Sequence, residues 1–407
     1  MVVTTALVLG HGIVPVAAQT PSSSVCTLPT QKASTPEQTA WQLFVAANCA
    51  TNGKLAWETW TEQDCWFNPG SCGVGTQKKR FTNAVSLLAT KGQKLVTAAA
   101  PAATTAGAVS GLAGCQPMTT ATTPGVSPGL VPFVPKNLSA TPKFCEEVYV
   151  NSSEADFINS PPGAAVGVNL ATNVGQATYI SATNKPLQFP GAATEVKADW
   201  IAASSLNAAS AFDCAANKPP GVYTQTIDGV CYALVGIHIS SKLYSNWLWA
   251  TFEPQSSLTN PNRCNPALYS SCNDAWGSNP AKSTGQKTAL TKNVTNLMDR
   301  AGLASALRNY RLVGVQTDYN QPVATKGLMG NSFVEFNAQV PVKQASCITC
   351  HAYAAINVAV NPPGQGVGGP IGNAPATGKP KLPPVIPGAH WVPLDFSWMM
   401  GFMPSGK

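Results

Sequence analysis

Charge is what this chain has least of. Asp, Glu, Lys and Arg make up 11% of its 407 residues, against roughly a quarter in an average soluble protein. That scarcity excludes a coiled coil, which needs charged flanks to its apolar seam. The formal excess of +7 comes from 25 basic and 18 acidic residues spread thinly, with no basic run denser than Lys78-Lys79-Arg80, so nucleic acid is not expected as a partner. Long apolar runs are lacking as well: no stretch beyond the N-terminus reaches the roughly eighteen residues of a spanning helix, and no transmembrane segment is expected. Histidines number four.

What replaces charge is Ala, Thr, Ser and Asn with 34 Gly and 34 Pro, beside an ordinary 44% of hydrophobic residues. This describes a weakly charged, loop-rich globular chain, two to three times the usual domain length and long enough to bury a sizeable core. Residues Met1 to Ala18 carry no charged side chain and end in Val16-Ala17-Ala18 before Gln19. They read as a signal peptide over residues 1–18 without the usual positive start, and the mature protein is expected to be periplasmic or secreted. Gly10, Gly12 and Pro15 argue against a retained anchor helix.

Export permits disulfides, and the chain has twelve cysteines. Ten lie outside the final pair. Sequence neighbours suggest Cys26 with Cys49, Cys65 with Cys72, Cys115 with Cys145, Cys214 with Cys231 and Cys264 with Cys272, although spacing alone does not determine connectivity. None of the ten shows a CxxC spacing or a neighbouring histidine, so staples are expected rather than metal ligands.

Along the chain, Thr35-Pro36-Glu37-Gln38 opens a helix with a cap, a first-turn proline and a capping box, and Trp41, Phe44 and Val45 mark its apolar face. Residues 98 to 140 are Ala, Thr, Gly, Pro and Ser with little periodicity, which predicts a surface insertion. Strands are expected at Val196 to Trp200, within Tyr223 to Ile239, at Trp247 to Phe252 and at Tyr310 to Val315. The run Val230 to Ile239 is apolar on both faces, like a central strand, and carries His238 inside. Lys287 to Arg300 has helical periodicity, and Gln344 to Val358 is read as a helix. Strands and helices without regular βαβ alternation predict an α+β fold with long irregular loops. Its parts would be a body over residues 19–343 and a segment over 344–407, in which a CxxCH helix packs on the body ahead of a Pro/Gly-rich tail.

The chemistry-bearing motif is Cys347-Ile348-Thr349-Cys350-His351. On one helical turn two thiols three residues apart can each add to a haem vinyl group, and the next histidine reaches the iron. Cys347, Cys350 and His351 are therefore the expected haem c site, with His351 the proximal iron ligand. A local disulfide, half a zinc site and a thioredoxin-like pair compete, but zinc would want another CxxC or HxxxH, and the βαβ setting of a thioredoxin is missing. For the sixth ligand the candidates are Met399 or Met403, which lie 48 and 52 residues beyond His351, and His238, since a histidine in an apolar strand must find a partner. An open sixth position is also allowed. His390 sits in a Pro-rich loop. Trp247 and Trp249 would wall the haem, and Arg300, Arg308 or Arg311 could neutralise its propionates.

Several stretches together resemble a group of exported bacterial cytochrome c family proteins with a single CxxCH. These stretches are Trp57-Glu58-Thr59-Trp60, Lys197-Ala198-Asp199-Trp200, Gly236-Ile237-His238-Ile239 with Lys242, Trp247 to Glu253, Cys347 to His351, and Asp395-Phe396-Ser397. The Met399 and Met403 spacing is similar to that of the axial methionine in small soluble cytochromes c. The family resemblance implies one covalent haem and an exported protein, and it puts His238 inside a recurring motif. The leading expectation is a monohaem c-type cytochrome that passes single electrons to a redox partner protein. A haem enzyme with an open or His238-assisted distal site, acting on peroxide or a small substrate, is the alternative. A disulfide-stapled binding module without haem is the third.

Overall fold

The computed structural model describes residues 24–67, 114–117, 138–207, 212–214, 221–255, 274, 276–278, 288–319, 329, 331, 333–334, 346–352, 354–359 and 391–401. The fold is α+β: helices and antiparallel sheets in no βαβ order. Strands β1 (Thr61–Glu62), β2 (Gly114–Pro117), β3 (Lys143–Val150), β4 (Thr194–Ala202), β5 (Thr224–Ile227), β6 (Val230–Ser241), β7 (Leu248–Pro254) and β8 (Tyr310–Gln316) form one sheet. Its order is β8-β7-β6-β4-β3-β1, with β2 added to β3 and β5 to β6.

The alternation of side chains along these strands gives the sheet two different faces. On one, Val196, Ala198, Trp200, Ile237, Ile239, Leu248, Ala250 and Phe252 meet helices α1 (Pro36–Ala47) and α4 (Lys292–Arg300) in the main core. Helix α1 starts as its sequence demands, with Thr35 Oγ1 accepting the Gln38 N–H at 3.2 Å and Pro36 in the first turn. Its Phe44 stacks on Phe252, with ring centroids 4.4 Å apart, and Trp41 meets Phe252 edge-on at 5.1 Å. Fully buried aromatics of this kind each contribute several kcal/mol, about 3–5 on truncation to alanine.

The other face carries polar residues. The register aligns Glu146 with Asp199, Asp199 with Gly236, Lys197 with His238 and His238 with Thr251. Beyond them, at the Trp249 end, lies a second apolar cluster built from helices α2 (Ser152–Asn159) and α3 (Asn173–Thr183) with Trp247, Trp249, Ile348, Val392, Met399 and Met400.

Three of the expected disulfides are present: Cys26 with Cys49, Cys115 with Cys145 and Cys214 with Cys231. Cys65 is disulfide-bonded as well, while Cys72, Cys264 and Cys272 lie outside the described residues, as does the leader at 1–18. Two expectations need correction. The segment 98–140 is not wholly a surface insertion, because Gly114–Pro117 pairs with β3 as a strand and its Cys115 is bonded to Cys145 directly opposite. Nor does one helix run from Gln344 to Val358. Helix α5 spans only Cys347–His351, and the chain then turns into β9 (Ala355–Asn357), which pairs with β10 (Trp391–Pro393). The run Ala354-Ala355-Ile356 buries every residue in succession, which a strand between two layers does and a one-faced helix does not. The Pro/Gly-rich stretch between β9 and β10 is outside the described residues. Among those described, no helix is long and apolar enough to cross a membrane.

Candidate functional site

Helix α5 is a single turn whose Ile348 is buried in the second cluster, with Cys347 half-buried at its edge. The start of the turn is tied to β8: Gln316 Oε1 accepts the Ile348 N–H at 3.2 Å, and its amide nitrogen donates to Ser346 Oγ at 3.3 Å. Ser346 in turn lies 3.0 Å from Thr349 Oγ1. The polar residues flanking and separating the cysteines thus fix the turn to the sheet.

His351 closes the turn. Its Nδ1 donates to the Phe396 carbonyl at 2.9 Å, and its ring lies against Trp249, with centroids 4.2 Å apart. Burial pushes its pKa down to about 4 against a partial upward pull from the carbonyl, and the nearby charges of Lys197 and His238 act in the same direction as burial. The imidazole is neutral at pH 7, and with the proton on Nδ1 the lone pair sits on Nε2. That is the tautomer of a metal-ligating histidine, whose other nitrogen characteristically donates to a carbonyl or carboxylate.

The Phe396 carbonyl is itself held. Asp395 and Phe396 have φ of 49° and 71°, and Ser397 N–H donates to Leu394 O at 3.0 Å, as in a type I′ turn. The Asp395 carboxylate accepts from Lys242 Nζ at 2.6 Å and from the Phe189 N–H at 2.8 Å, and it faces the Trp247 indole. Burial raises the Asp395 pKa, while Lys242, Phe189 and Trp247 hold it back. Of these residues Asp395, Phe396, Lys242 and Trp247 lay in recognisable sequence segments, yet only the fold shows that they converge on His351.

Family models, curated proteins and solved structures offer no match to this chain.

The polar face of the sheet adjoins this site. Trp249 pairs with Ser240 and Thr251 with His238, so His238 is a diagonal neighbour of Trp249, about 7–8 Å away on the same face. His238 Nε2 lies 3.3 Å from Asp199 Oδ2, and Lys197 Nζ pairs with Glu146 Oε1 at 2.8 Å. Asp199 and Glu146 stand opposite each other across the β3–β4 pair. Burial pushes the Asp199 carboxyl up to about 7, against the lowering effects of Lys197 and Glu146. Asn331 closes the group, and Gly236 makes room for it: a Cβ there would sit 2.6 Å from Asn331 Nδ2 and 2.8 Å from Asp199 Oδ2. Sequence reading singled out His238 but missed Glu146, Asp199 and Asn331 as partners, because strand register and one loop bring them together from distant positions.

The remaining candidates differ in their surroundings. Met399 is buried in the second cluster, in the short helix α6 (Trp398–Gly401) that follows Phe396. Its side chain shares that cluster with Ile348 of the CxxCH turn. Met403 and His390 lie outside the described residues. The three arginines that could neutralise propionates have different settings. Arg300 is exposed on α4, Arg308 pairs with Asp299, and the Arg311 guanidinium donates to the carbonyls of Thr288, Arg308 and Tyr310. Trp247 and Trp249 do lie beside the motif.

Proposed function

We propose that the chain is a monohaem c-type cytochrome of the exported bacterial kind it resembles, acting in a periplasmic or secreted setting on single electrons. Cys347 and Cys350 would hold the haem by thioether bonds and His351 would ligate its iron. The observation that carries the reading is His351 itself, fixed at the end of a CxxCH turn with Nδ1 committed to a backbone carbonyl. Covalently held haem supplies a one-electron couple. The protein's part is then to keep Nε2 unprotonated, to orient the ring between Trp249 and the Phe396 carbonyl, and to exclude water with the apolar cluster around Ile348, Met399 and Met400. The three disulfides support an oxidising compartment. A redox partner protein would exchange the electrons.

A second reading, a haem enzyme acting on peroxide or a small substrate, is favoured by one observation: His238 lies on the sheet face that carries Trp249, against which His351 packs, and is paired with the buried carboxylate of Asp199. A histidine oriented by a carboxylate is the usual form of an acid–base residue. Expression in a periplasm with haem-maturation machinery, followed by a covalent haem stain, tests both readings. The stain is expected to follow the wild-type band and to be lost in Cys350→Ala. A colourless wild-type band removes both. Carbon monoxide added to the reduced protein then separates them, since ready binding indicates an open sixth position, and an unchanged spectrum indicates a six-coordinate carrier.

A further inference from the structure

We infer that Lys242 and Asp395 are positioning residues for His351, and that through the Phe396 carbonyl they set the reduction potential of the site. The inference rests on haem attachment at Cys347, Cys350 and His351. Phe396 occupies the second central position of a turn that demands positive φ, where a side chain with a Cβ is disfavoured and Gly or Asn is usual. Such a conformation persists only where its surroundings over-determine it. Here they do. The Asp395 carboxylate receives Lys242 Nζ at 2.6 Å and the Phe189 N–H at 2.8 Å, and Lys242 Nζ also donates to Ser245 O at 2.8 Å. The Lys242 and Asp395 side chains are 8% and 2% exposed, so the pair is shielded from solvent and salt.

The product of this anchoring is one carbonyl oxygen, 2.9 Å from His351 Nδ1. A firm hydrogen bond there leaves more electron density on Nε2 and favours ferric over ferrous iron. A slack one does the reverse. Lys242 and Asp395 come from segments 153 residues apart, and neither touches the imidazole. Their influence passes through the turn.

The test measures the midpoint potential of the haem-loaded, full-length chain in wild type, Asp395→Ala, Asp395→Asn and Lys242→Met. Asp395→Ala and Lys242→Met are expected to raise it, each by about tenfold in the equilibrium against a fixed couple, or about 59 mV for one electron. Asp395→Asn tolerates the left-handed turn and keeps an acceptor for Phe189, so it should shift the potential far less than Asp395→Ala. A simple field effect makes the opposite forecast: removing the lysine's positive charge lowers the potential, and the Asn and Ala variants move together. That pattern, or unchanged potentials, overturns the inference. If Asp395→Ala does not fold, the sign for Lys242→Met still decides. The imidazole 15N shifts of His351 in the haem-free full chain give an independent readout. The Nδ1–H tautomer is expected in wild type and a mixture of tautomers in Lys242→Met; a wild-type mixture overturns the positioning role. A wild-type chain that takes up no haem overturns the haem reading, and the tautomer still tests the positioning.

Discussion

Replacing Asp199 by Asn should stabilise the protein, and more so as the pH rises. Asp199 is fully buried among Glu146, Lys197, His238 and Asn331, and burial pushes its pKa from 3.8 to about 7. An acid raised in the folded state binds its proton there while the unfolded chain has released it. Its contribution is therefore fully present below pH 4 and is lost as the pH climbs to about 7. At 1.36 kcal/mol per pH unit, the shift corresponds to an upper bound of about 4 kcal/mol. Asn cannot ionise and has nearly the same shape, so Asp199→Asn should escape the loss. Urea unfolding of both proteins, with disulfides intact, at half-unit steps from pH 4 to 8 reads the difference directly. The variant should match wild type near pH 4 and gain steadily to a plateau near pH 7. A difference that stays flat with pH, or that favours wild type increasingly, would refute the burial argument for this carboxyl.

Wild-type stability should itself fall between about pH 4 and 7, because burial also raises Glu195 to about 7 and Asp274 to about 6. His351 opposes this: its pKa, lowered to about 4, makes folding more favourable as the pH rises through 4 to 6.5, so His351→Phe should steepen the fall. Gly236→Ala places a methyl group against Asn331 and Asp199 and should cost about 1–3 kcal/mol, visible as a lowered Tm. Removing the Cys214–Cys231 bridge, which closes a loop with a sequence separation of 17, should cost about 3 kcal/mol in urea unfolding.

The strands were legible because their burial is written as β-branched and aromatic runs. The clearest stretch is Ala233 to Ile237, buried throughout, whereas Val230 at the start of that strand is exposed and His238, expected inside, is only half-buried. Helix α1 was legible from its cap. Helices α2 and α3 were not, since α3 mixes Asn, Gly, Ser and Thr with Val174, Tyr179 and Ile180 and has little one-sided hydrophobicity, and packing rather than pattern makes it a helix. The segment after His351 misled because apolar residues with no clear period fit either a buried strand or a helix. At the site, adjacent residues carry their meaning openly, as Cys347 to His351 do. The rest depends on register and on a turn: Lys197 opposite His238, Glu146 opposite Asp199, and Asp395 reaching Lys242. No local spacing encodes those meetings.

The most direct test of the haem reading is the intact mass of the full chain matured in a haem-competent periplasm. The prediction is one added haem that survives denaturation and disappears when both Cys347 and Cys350 are replaced by serine. An unmodified mass, with Cys347 and Cys350 joined to each other as a disulfide, would contradict it.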